Sequence, residues 1–82
     1  MYTATVVAVD ARRRLFVVQV DGTVEMVTLR TLDVVDVREG MRLQGAFDEA
    51  GRIHLEAPQG IAFDAFAESG WAHRTAGLLQ KA

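Results

Sequence analysis

Over the first two thirds of the chain, short apolar and β-branched runs are separated by turn residues, the pattern of strands. Residues 3–9 (TATVVAV), 15–20 (LFVVQV) and 23–29 (TVEMVTL) are the first three such runs. Their β-branched side chains suit a pleated surface. Asp21 and Gly22 stand between the second and third runs, a dipeptide suited to a two-residue turn with positive φ at both positions. That turn pairs Val20 with Thr23, Val18 with Glu25 and Phe16 with Val27. On the other face it pairs Gln19 with Val24, Val17 with Met26 and Leu15 with Thr28. Residues 30–40 (RTLDVVDVREG) read as a connection. From Gly40, GMRLQGAF alternates, with Met41, Leu43 and Phe47 on one side and Arg42 and Gln44 on the other. A turn at Gly51 leads to RIHLE, a fifth strand with Ile53 and Leu55 inward. The predicted core is Val6, Phe16, Val18, Val27, Leu43, Ile53 and Leu55.

Five short strands separated by turn residues predict an all-β fold, a small barrel over residues 1–57. Residues 37–56 (VREGMRLQGAFDEAGRIHLE) resemble the last hairpin of an OB-fold domain. There a Gly-hydrophobic-x-hydrophobic-x-Gly strand is followed by a short turn and a strand. The resemblance covers roughly residues 2–57 and is one of strand pattern, not of a family motif. Many OB-folds carry a helix between strands three and four; its absence from this pattern keeps an SH3-like barrel as the alternative. The resemblance implies ligand contacts at the loop joining strands one and two and on the outer face of strands two and three.

APQG at 57–60 ends the strand pattern, and residues 58–82 are expected to form a C-terminal extension. Ala62, Phe63, Phe66 and Ala67 stand at helical spacing. They predict a short helix over about 61–69, docked on the barrel and stopped at Gly70. A second helical piece could run through Leu78 and Leu79. Both faces of the first hairpin are apolar. If Phe16, Val18, Val20, Val27 and Leu29 fill the barrel, Leu15, Val17, Val24 and Met26 lie outside. Either Phe63, Phe66 and Trp71 of the extension cover this stripe, or it is a binding surface.

Composition narrows the picture. With 82 residues the chain is one small domain with a marginal core, and without cysteine it has no disulfide or thiolate metal site to add stability. The opening MYTATVVAVD lacks the basic flank and apolar run of a signal peptide, and no run approaches the roughly 18 apolar residues that span a bilayer. A soluble cytoplasmic protein is expected. All but one of the nine basic residues are arginine and alanine is abundant, a usage typical of GC-rich bacterial genomes.

Candidate chemistry is sparse. Ser69, His54 and His73 suggest no triad, the glycines form no phosphate-cradling loop, and His54 with Glu56 makes only two ligands on a solvated strand face. No enzyme activity, metal or cofactor is expected. The leading expectation is a non-catalytic binding module. It would engage a protein partner or a second copy through Leu15, Val17, Val24, Met26, Phe63, Phe66 and Trp71. The alternative is single-stranded nucleic-acid binding through Arg12, Arg13 and Arg14 with Phe16 as the aromatic. The formal net charge of −2 weighs against that alternative, since such binders are usually basic.

Overall fold

The computed structural model describes residues 1–58 and 60–67. Six strands run β1 (Tyr2–Asp10), β2 (Leu15–Val20), β3 (Met26–Thr31), β4 (Arg42–Gly45), β5 (Gly51–Glu56) and β6 (Ala62–Ala67). They form a closed barrel in the order β1-β2-β3-β6-β5-β4, with β4 returning to β1, and every pairing is antiparallel. Two three-stranded meanders therefore meet along β1–β4 and β3–β6. The all-β barrel is as expected, with six strands instead of five. No helix among the described residues is long and apolar enough to cross a membrane.

The sixth strand corrects the helix expected over 61–69. Residues 62–67 pair with β5 (Leu55 opposite Phe63, Ile53 opposite Ala65) and with β3 (Arg30 opposite Phe66, Leu29 opposite Ala67). AFDAFA satisfies both periods, because six residues with apolar side chains at most positions cannot separate a 3.6 repeat from a repeat of two. Two open strand edges decide it, since each backbone group of this segment gains a ladder partner on closure. The expected second helical piece lies outside the described residues.

All seven predicted core residues are buried, joined by Ala4, Val20, Leu29, Phe47, Ala65 and others. Phe16 and Phe63 meet edge to face, with ring centroids 6.2 Å apart, so two of the core's phenylalanine rings link its two meanders. Gly45 is a packing requirement: a Cβ there would overlap the Leu55 side chain on the neighbouring strand.

Two local features depart from the sequence reading. The first is the β2–β3 turn, which is longer than two residues. Val18 pairs with Val27 and Phe16 with Leu29, a slip of two from the expected register. Thr23 holds the loop, its hydroxyl donating to the Val20 carbonyl (2.9 Å) and accepting from the Glu25 amide (3.0 Å). An even slip leaves every side chain on its expected face, which is why the core assignment survives. The second is a β-bulge at Val7, between the Val6–Val18 and Ala8–Val17 pairs. It reverses the inward parity of β1, so Val9 rather than Ala8 stands opposite inward Phe16.

Glu25 continues the inward parity of Val27 and is buried. Neither of its carboxylate oxygens has a hydrogen-bond partner among the described residues. A buried unpartnered polar group costs about 1–3 kcal/mol. Glu25→Leu is therefore expected to raise the unfolding free energy in urea by about that amount; a fall would show that a partner holds the carboxylate. In the same assay Phe63→Ala is expected to lose about 3–5 kcal/mol, and Phe66→Ala far less. Equal losses would contradict the strand assignment of this segment.

Candidate ligand-binding surface

The β1–β2 loop, residues 11–14, is a defined turn. The Arg13 amide donates to Asp10 Oδ1 (3.3 Å) and the Arg14 amide to the Ala11 carbonyl (3.3 Å). The Arg14 carbonyl accepts from the Thr31 amide at 2.9 Å, tying the loop to the end of β3. Arg14 has φ 58°, and no other described non-glycine residue has positive φ. Glycine is the default there, and the left-handed region costs another L-residue about 1–2 kcal/mol. The loop also forms one wall of a cleft of about 190 Å³, which includes Arg14, Leu15, Val9 and Val34 and faces the β3–β4 connection.

The register extends this loop into a row across the outer surface. Leu15, next to Arg14, pairs with Arg30; Arg30 pairs with Phe66; and Phe66 pairs with Arg52. Directly opposed residues point to the same face. Phe66 is 42% exposed, flanked by an arginine on each neighbouring strand.

Ion pairing divides the arginines. Four hold an aspartate: Arg13–Asp10, Arg38–Asp36, Arg42–Asp21 and Arg52–Asp64. Arg12, Arg14 and Arg30 have no acidic partner among the described residues, and all three belong to the loop and the row it meets.

Beside Phe66, Asp64 organises a polar cluster. Its Oδ2 accepts from Arg52 Nε (2.9 Å) and Nη2 (2.7 Å), and its Oδ1 lies 2.9 Å from His54 Nδ1. The far side of the ring, Nε2, is 3.7 Å from Glu56 Oε1. The backbone of Asp64 is also fixed, its amide donating to Asp33 Oδ2 (2.9 Å) and its carbonyl accepting from the Leu32 amide (3.0 Å). The hydrogen bond to Asp64, aided by the charges of Asp64 and Glu56, raises the His54 pKa above 6.5. Hydrogen bonds from His54 and then Arg52 lower that of Asp64 below 3.8. No group of three or more histidine and acidic side chains among the described residues is placed to hold a metal ion.

Several expected site residues lie elsewhere. Phe16, the aromatic of the nucleic-acid reading, is only 1% exposed and offers no stacking surface. Phe63 is inside the barrel and cannot cover or extend an outer stripe. Leu15 and Val17 are half-buried, while Val24 and Met26 are exposed, at 79% and 47%. Trp71 lies outside the described residues. Sequence reading missed Arg30, Arg52 and Asp64, because only the β3–β6–β5 pairing brings them together. The misread helix hid that pairing. No protein-family model, curated protein or solved structure matches this chain.

The cluster sets a pH dependence. His54, with its pKa raised on folding, contributes stability that is complete below 6.5 and lost as pH rises through the raised value. Asp64, lowered, contributes stability that is present above 3.8 and lost as pH falls through the depressed value. An NMR titration should find His54 titrating above 6.5 and returning towards it in Asp64→Asn; an unchanged midpoint in that variant would exclude the contact.

Proposed function

We propose that this chain is a non-catalytic binding module for a negatively charged macromolecule, which it contacts through the β1–β2 loop and the outer face of β3, β6 and β5. The observation that carries this reading is the grouping of Arg12, Arg14 and Arg30. They are the described arginines without an acidic partner: Arg12 and Arg14 lie in the β1–β2 loop, and Arg30 stands opposite Leu15, the residue that follows that loop. A guanidinium already paired with a carboxylate has little to offer a second anion, whereas a free one can take phosphate or carboxylate in fork geometry. Arg14 adds weight, because the chain keeps arginine where glycine would cost less. A closed barrel is a suitable platform, because β3 holds Arg30 on a strand and the hydrogen bond from the Thr31 amide ties the loop of Arg12 and Arg14 to the end of β3.

The chain's net charge remains −2, so binding should be modest and strongly weakened by salt. Wild-type protein is expected to be retained on immobilised heparin at low salt. The triple variant Arg12→Ala/Arg14→Ala/Arg30→Ala should flow through, and Arg38→Ala, which removes a paired arginine, should elute with wild type. Absence of wild-type retention, or an equal loss in Arg38→Ala, would contradict the reading. Arg14→Gly should weaken retention while raising thermal stability, by relieving about 1–2 kcal/mol of backbone strain.

A second reading is favoured by the exposure of Val24 and Met26 at the β2–β3 hairpin: a second copy of the chain docks there. Sedimentation velocity is its test. A wild-type dimer dispersed by Val24→Asp supports it, and a wild-type monomer at high concentration overturns it.

A further inference from the structure

We infer that the anionic ligand of this surface is a single-stranded nucleic acid, one base of which stacks on Phe66 while Arg30 and the loop arginines Arg12 and Arg14 take its phosphates. The inference rests on the polyanion reading above and adds to it the chemistry of the ring.

Phe66 is the one aromatic on the outer face of the described strands, and its position is not incidental to packing. Its partner on the same strand, Phe63, fills the core; Phe66 points away from it with 42% of its surface open. The register puts Arg30 directly on one side and Arg52 directly on the other. Adjacent strands are about 4.8 Å apart, so the two arginine backbones lie about 10 Å apart with the ring between them. A flat apolar surface beside the unpaired Arg30 is complementary to a base beside its phosphodiester. Such stacking tolerates any base, because every base has a π-face. An inorganic polyphosphate or an acidic peptide of Asp and Glu would use the arginines and leave the ring unmatched. A duplex keeps its bases stacked within and offers the ring none without unpairing one. The loop arginines Arg12 and Arg14 continue the cationic track past Leu15, giving the strand a direction across the barrel. At the other end Asp64 holds the Arg52 guanidinium, so its carboxylate competes with an incoming phosphate.

The experiment is fluorescence anisotropy of labelled oligothymidylate of roughly 15 nucleotides, beside an abasic phosphodiester strand of equal length, a duplex and polyglutamate. The proteins are wild type, Phe66→Leu, Phe66→Trp and Asp64→Asn. Because Phe66 faces outward, Phe66→Leu should keep the wild-type circular dichroism spectrum. It is expected to weaken oligothymidylate binding roughly five- to 150-fold, with Phe66→Trp restoring it. The abasic strand should bind wild type more weakly and be indifferent to Phe66→Leu. Asp64→Asn should bind oligothymidylate more tightly than wild type. If oligothymidylate and the abasic strand bind alike and Phe66→Leu changes neither, the stacking inference falls while the polyanion reading stands. Tighter binding of the duplex or of polyglutamate overturns the single-strand assignment in the same way. If no polyanion binds wild type, both readings fall together.

Discussion

The barrel depends on one closure, the insertion of β6 between β3 and β5. Without it β3 and β5 each present an open ladder of amides and carbonyls, and the two meanders touch only along β1 and β4. With it the sheet has no edge, Phe63 enters the core against Phe16, and Phe66 emerges on the outside between two arginines. Core and candidate site are therefore two faces of the same six residues. The alternation of a strand fixes that division: Phe63 and Phe66 are three apart, so they point to opposite sides, whereas on a helix they would share one.

The same contrast explains what was legible in the sequence. The inward residues of the fourth and fifth strands were, because those runs alternate cleanly, whereas the first hairpin is apolar on both faces and its inward set was legible only as a conditional choice of Phe16, Val18 and Val27. Even a wrong turn length at Asp21 and Gly22 did no harm, since the slip in register was two and left the faces unchanged. The bulge at Val7 was not legible, as no glycine or proline marks it. Residues 62–67 were misread because alanine favours helices and the segment is too short for its period to decide. Tertiary pairing outweighed that local preference.

For the site, the arginine run was visible but its setting was not. Pairing of charges is a property of the folded chain: Asp10, Asp21, Asp36 and Asp64 each neutralise an arginine, and three of those four pairs join residues that only the folded backbone or a local turn brings into reach. What remains free is clustered, and it adjoins the exposed ring. Net charge alone concealed this, since it counts buried Glu25 and the paired aspartates equally with the open surface. The aromatic sought on the second strand, Phe16, belongs to the core. The ring that faces solvent comes from the segment read as a helix.

Cross-strand nuclear Overhauser effects across β6, with the exchange rates of its amides, test this account most directly. Closure predicts contacts from Phe66 to both Arg30 and Arg52, and slow exchange for the Leu32 and Asp64 amides, which donate to Asp64 and Asp33. Helical contacts between residues three apart over 61–69, with rapid exchange at those amides, would contradict it and would remove Phe66 from between the two arginines.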